Sequence, residues 1–173
     1  MAFTRTSKTA AGFTLIELVV VIIVLAILAV VAASKFINLS SDANKSAIEG
    51  VQGAIKSAKD LVHSGCLVSS QCDETAPAAA GNGLGNSILV QDKLVTLAYG
   101  YPRHTEAGIA RAINIADISD GGEFRITSYT LASRPGLRIR PNGDYGTNEC
   151  EVRYSQPQSA GDTPLIEIDT SQC

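Results

Sequence analysis

Apolar residues follow three different patterns along this chain. From Phe13 to Ala33 only Thr14 and Glu17 interrupt a continuous apolar run. As a helix, those about 21 residues rise roughly 31 Å, one bilayer hydrocarbon core. Further on, Ile48, Val51, Ile55, Ala58 and Val62 recur at alternating three- and four-residue spacing, with Glu49, Gln52, Lys56, Lys59 and Asp60 between them. That is one apolar face of an amphipathic helix. The segment joining these patterns, Ser34 to Ala43, contains no turn signal. The spacing therefore predicts a single helix from about Phe13 to Ser64, with His63 in its last turn and Gly65 as its C-terminal cap. Gly50 and Gly53 each weaken such a helix by about 1 kcal/mol relative to Ala. Ala29 and Ala33 form a small-xxx-small pair that suits close helix approach.

After Cys66 the pattern shortens. Asp73 to Asn86 is rich in Ala, Gly, Pro and Asn and reads as a surface loop. Ser87–Val90 and Lys93–Ala98 are apolar runs too short for periodicity to assign as helix or strand. Thr105 is placed to cap a short helix through Ile115, with Glu106 in its first turn. Phe124–Leu131 alternates, and Leu137–Arg140 runs into the turn sequence Pro141-Asn142-Gly143-Asp144. Cys150–Ser155 and Leu165–Asp169 supply two more strands. The expected fold is α+β: a long N-terminal helix, membrane-spanning in its first half, packed on an antiparallel sheet of about four strands joined as a meander.

With 173 residues there is length for one domain and one anchor. The boundaries suggested are a leader over 1–12, a helix over 13–64 with its apolar half at 13–33, and a globular part over 65–173. The leader carries Arg5 and Lys8 and no acid, the flank expected to stay cytoplasmic. The formal net charge is −3, and setting the leader aside makes the body more acidic still. This gives no electrostatic footprint for nucleic acid. Cys66, Cys72, Cys150 and Cys173 suit an oxidising, exported setting, and no C-x-x-C spacing suggests zinc. Three pairings can be drawn. The favoured one joins Cys66 to Cys72 as a local loop and Cys150 to Cys173 at the C-terminus, the second closure contributing about 3 kcal/mol.

The order of the leader is unlike that of an ordinary signal peptide, in which small residues follow the apolar segment. Here Ala10-Ala11-Gly12 precede it. Cutting after Gly12 would leave the helix on the mature chain with Phe13 as its N-terminus. Glu17 is then the residue to explain, because a carboxylate at a membrane-helix centre costs roughly 2.5–3.5 kcal/mol. It lies four residues, about 6 Å, from a new amine at Phe13, and a helix N-terminus favours its charge. Within one chain or between parallel neighbours, Phe13 and Glu17 would neutralise each other. An unpartnered buried charge would penalise a subunit out of register.

The string Gly12-Phe13-Thr14-Leu15-Ile16-Glu17, after a short basic leader and before the apolar run, resembles the type IV prepilin signature. The resemblance implies that a prepilin peptidase cuts after Gly12 and N-methylates Phe13. It implies an inner-membrane precursor, N-terminus cytoplasmic, that later polymerises with its own copies into an extracellular filament. An assembly platform and its ATPases would be partners, and the C-terminal Cys150–Cys173 segment resembles the disulfide loop of such subunits. Lys35-Phe36-Ile37-Asn38-Leu39-Ser40-Ser41-Asp42-Ala43 is similar to the mannose-sensitive haemagglutinin branch, which implies attachment to host or surface glycans. Ser34 stands where many type IV pilins have proline, so no proline kink is expected. Two rival readings share parts of this pattern: a type II secretion pseudopilin, which also has the Gly12–Glu17 signature, and a membrane-anchored extracellular binding domain that does not polymerise.

No enzyme or cofactor motif stands out. His63 and His104 lie in no catalytic pattern, and there is no Gly-x-Ser-x-Gly, phosphate loop or His-Glu-x-x-His. Asp117, Ser119, Asp120 and Glu123 with Gly121-Gly122 form an acidic turn. Related major pseudopilins bind calcium in a C-terminal loop, yet this spacing is not an EF-hand, and a solvated turn is the favoured reading. Gln156–Thr163 is the candidate binding loop, since exposed loops on a rigid scaffold tend to carry recognition.

Overall fold

The computed structural model describes residues 12–70, 72–77, 86–131, 133–142 and 149–173. It contains one long helix, α1 (Leu15–Val68), and seven strands among the described residues. These are β1 (Ser87–Val90), β2 (Lys93–Ala98), β3 (Tyr101–Pro102), β4 (Phe124–Leu131), β5 (Arg134–Pro141), β6 (Glu151–Ser155) and β7 (Leu165–Asp169). The chain divides into two compact units, Met1–Ser40 and Ser41–Cys173.

In the second unit the apolar stripe on α1 organises the core. Ile48, Val51, Ile55 and Ala58 form one buried cluster with Ile126, Leu137, Ile139, Val152 and Tyr154 from β4, β5 and β6. Val62 and Cys66 continue the stripe into a second cluster with Ile88, Val95 and Leu97. That continuation explains why the helix does not end at Gly65. Cys66 is buried on the same face as Val62, and Gly65 lets β1 approach closely, since a Cβ there would lie 3.1 Å from Ile88 Cδ1. The helix therefore runs on to Val68, and Gly65 is an interior residue rather than a cap.

The α+β expectation holds, with the sheet in two parts. β4-β5-β6-β7 form a four-stranded antiparallel meander, and β1-β2-β3 form a separate three-stranded one. The undetermined runs Ser87–Val90 and Lys93–Ala98 are thus strands, joined through Gln91 and Asp92, both in the left-handed region. Tyr154, fully buried in β6, donates from its hydroxyl to the Pro102 carbonyl of β3 at 2.6 Å and so ties the two sheets together. Burial raises its pKa well above the usual tyrosine value.

The expected helix from Thr105 to Ile115 is present in shorter, distorted form, π-type over Glu106–Ala110 and helical on to Ala112. Thr105 makes no side-chain cap. Gly108 leaves helical geometry, and the Ile109 amide donates to the Arg103 carbonyl at 2.9 Å. The distortion at Gly108 accompanies the sinking of Ile109 and Ala110 into the core, and the Ile113 amide then donates to the Ile109 carbonyl at 3.1 Å. The turn expected at Pro141-Asn142-Gly143-Asp144 begins where β5 ends, and Gly143 and Asp144 lie outside the described residues.

On the sheet face away from the core, Glu151 of β6 is fully buried beneath three arginines. Its carboxylate lies 3.2 Å from Arg138 Nε and 3.2 Å from Arg140 Nε, and it accepts a hydrogen bond from Arg153 Nε. Beside them the Tyr129 ring lies over Gly136, where any Cβ would come within 2.3 Å of the ring, and the Tyr129 hydroxyl meets Ser155 Oγ at 2.8 Å. Removing one member of a buried charge group strands the others. Glu151→Ala should therefore destabilise the fold by about 3–5 kcal/mol in urea unfolding, with the full chain held in detergent.

Candidate functional site

The helix start is built by Thr14 and Glu17. The Thr14 carbonyl accepts the first helical bond, from the Leu18 amide at 3.3 Å. Thr14 Oγ1 accepts the Glu17 amide at 3.3 Å, while Glu17 Oε2 accepts the Thr14 amide at 2.9 Å and the Thr14 hydroxyl at 2.8 Å. This is a reciprocal capping box, with Thr14 as N-cap and Glu17 at the third helical position. The signal was present in the sequence as Thr14-Leu15-Ile16-Glu17. Glu17 is thus a capping residue as well as a membrane charge. Glu17 Oε1 takes no part in the box, so a second partner can reach the carboxylate without breaking it.

From this cap, Leu15–Ala33 runs as a helix long and apolar enough to cross a membrane, with every residue exposed. Phe13 precedes it at 91% exposure, beside Gly12. The site is therefore a small polar cap heading an apolar surface that the described residues leave uncovered. Exposed apolar area on this scale demands another apolar medium, either lipid or other helices.

The remaining candidate residues fall elsewhere. Cys66 is joined to Cys72, with Cα atoms 5.2 Å apart, and Cys150 to Cys173, with Cα atoms 4.6 Å apart. Asp117 is a structural cap: its Oδ1 accepts the Ser119 amide at 2.8 Å and its Oδ2 the Ile126 amide at 2.6 Å. Asp120 and Glu123 are exposed, and among the described residues no three His, Cys, Asp or Glu side chains converge as metal ligands would. The histidines have separate settings. His63 stacks on Tyr101 with ring centroids 4.1 Å apart, and its Nδ1 lies 3.2 Å from the Gly100 carbonyl. His104 meets Gln156 Oε1 through its backbone amide at 3.2 Å and Nδ1 at 2.5 Å, and burial lowers its pKa.

Residues 7–33 match the family model described as the prokaryotic N-terminal methylation motif. No curated protein and no solved structure matches the chain. The motif, the apolar helix and the α+β body together support a type IV pilin-like or pseudopilin-like protein. Such a motif implies processing by a prepilin peptidase, engagement of pilus assembly machinery and a membrane-anchored precursor. Proteins carrying it are structural rather than enzymatic.

Two measurements follow from these contacts. Thr14→Val removes the cap hydroxyl and should weaken the first turn by about 1 kcal/mol, seen as faster exchange of the Leu15–Glu17 amides in detergent micelles. Glu17→Gln keeps an acceptor and should exchange more slowly than Glu17→Val. The Asp117 carboxyl is held below the usual range, first by the Ser119 amide and then by the Ile126 amide. A depressed carboxylate stabilises the fold above its unfolded pKa of about 3.9 and loses that contribution as pH falls through the folded value. Asp117→Asn should therefore lower the urea midpoint at pH 7, with the gap to the parent closing toward pH 3.

Proposed function

We propose that this chain is the major structural subunit of a type IV pilus. The observation that carries the proposal is the exposed apolar helix Leu15–Ala33, headed by Phe13 and a capped Glu17 within a matched methylation motif. In this reading Met1–Gly12 is a leader that holds the N-terminus in the cytoplasm. A peptidase removes it after Gly12, and Phe13 becomes a methylated, still cationic N-terminus. The precursor waits in the inner membrane and then leaves it for the filament, where Leu15–Ala33 from many copies packs together. Glu17 Oε2 serves the Thr14 cap while Oε1 receives the Phe13 amine, from the same chain or a neighbour. Charge neutralisation in an apolar core then selects the correct register, because an unpaired charge there is strongly disfavoured.

The body, 65–173, would be displayed outward, with the Cys66–Cys72 and Cys150–Cys173 disulfides holding its loops outside the cell. The resemblance of Lys35–Ala43 to the mannose-sensitive haemagglutinin branch extends the proposal to attachment through surface glycans.

Gly12→Trp should leave an uncut precursor on a gel, and a normal size shift would overturn the cleavage assignment. Glu17→Val should be cut normally yet form few filaments, and abundant normal filaments would refute the Phe13–Glu17 pairing. Deleting the gene should remove long surface filaments. Loss of protein secretion with filaments intact would instead identify a pseudopilin.

A further inference from the structure

Two clefts open on either side of Tyr99. One, of about 240 Å³, is lined by His63, Glu74, Tyr101 and Asp162. The other, of about 340 Å³, is lined by Pro77, Pro135, Gln156, Pro157 and Gln158. Tyr99 belongs to both. It sits with Gly100 in the two-residue turn between β2 and β3, and both residues have positive φ, 51° and 77°. Such a turn favours Asn or Gly, and a bulky residue in that region is an outlier. Strained residues of this kind concentrate where a ligand is held. Gly100 is fixed for a second reason, since a Cβ would lie 3.1 Å from His63 Nδ1 and 3.4 Å from Glu74 Cγ, crowding two residues of the smaller cleft.

The surroundings are rigid. The Tyr99 amide donates to the Ala76 carbonyl at 2.9 Å, which pins the turn to the 73–77 segment. Buried Asn86 holds that segment from the other side, donating from Nδ2 to the Asp73 carbonyl at 3.1 Å and accepting the Asp73 amide at 3.3 Å. Asp162 is set by Arg134 Nη2 at 3.0 Å and by the amides of Gln158 and Thr163 at 3.2 and 2.9 Å. The loop Gln156–Thr163 thus forms one wall of both clefts.

The lining chemistry selects the ligand. The smaller cleft offers the Glu74 carboxylate beside stacked rings, with Asp162 already paired to Arg134, and among the described residues no Lys or Arg lines either cleft. The larger offers amides between flat proline surfaces. Gln156 is buried with its Oε1 occupied by His104, leaving its Nε2 as a donor. Carboxylates and amides serve vicinal hydroxyls, and a Tyr face covers the C–H face of a pyranose. An anionic ligand would meet the Glu74 carboxylate, while the nearby Arg134 guanidinium is already paired with Asp162. A few placed polar groups in an otherwise apolar cleft is the general form of a small-ligand site.

We infer that the body carries a neutral-glycan site in which an oligosaccharide of at least two pyranose rings straddles Tyr99, one ring in each cleft. The inference rests on the adhesive part of the function proposed above and names its location.

The test uses the full processed chain in detergent micelles, so that binding is read independently of polymerisation. Saturation-transfer NMR with maltose, lactose and cellobiose should show transfer to both rings of at least one disaccharide. Glu74→Gln, at an exposed side chain, should weaken that binding at least tenfold. Tyr99→Gly relieves the positive-φ strain, so its Tm should be unchanged or higher while binding is lost. Filament formation by Tyr99→Gly, checked by electron microscopy in cells, should be normal. No transfer from any neutral disaccharide, preferential binding of a sialylated or sulfated sugar or of a proline-rich peptide, or binding retained in Tyr99→Gly would overturn the site. Absent filaments with glycan binding intact would overturn the pilus reading alone.

Discussion

The apolar stripe Ile48, Val51, Ile55, Ala58, Val62 on α1 is the surface on which both sheets close. Its first four residues meet the four-stranded meander and its end meets the three-stranded one. A sheet with one apolar face cannot remain exposed, so each meander needs this helix as its second layer. Because the stripe extends to Cys66, it also sets the length of α1 and the point where the local disulfide can close.

The N-terminal half of α1 obeys the opposite rule. Leu15–Ala33 is apolar on all sides, so no single-sided packing can satisfy it. Its polar chemistry is confined to the first turn, where Thr14 and Glu17 satisfy each other's groups. A carboxylate that costs energy in a lipid interior is thereby held at a helix start, where the free amides and the dipole favour it. The same residue can cap its own helix and offer its second oxygen to a cation, so the two roles of Glu17 do not compete.

Two carboxylates of the body are held by dedicated partners. Glu151 is covered by Arg138, Arg140 and Arg153 on the outer face of the meander, and Asp117 uses both carboxylate oxygens on backbone amides. The acidic turn at Asp117–Glu123 therefore reads as an architectural cap for the start of β4. Around Tyr99, a bulky residue with positive φ and the polar side chains Glu74 and Gln156 lie together at two clefts.

The helix stripe, the β4 span Phe124–Leu131 and the β7 span Leu165–Asp169 were legible in the sequence because their signals are local and periodic. The capping box is also written locally, as Thr14 and Glu17 at fixed spacing. Gly12–Glu17 carried the match to the methylation motif for the same reason, since it is a contiguous string. The tertiary structure alone decided that Ser87–Val90 and Lys93–Ala98 are strands, because four to six apolar residues fit helix or strand until a partner is found. It gave Glu106–Ala110 its π-type distortion, which accompanies the sinking of Ile109 and Ala110 into the core. It brought Glu151 under arginines from a neighbouring strand, and set Tyr99 between clefts walled by segments up to about sixty residues away in sequence. Periodicity records what each segment must bury, while only the closed fold determines which distant side chains meet.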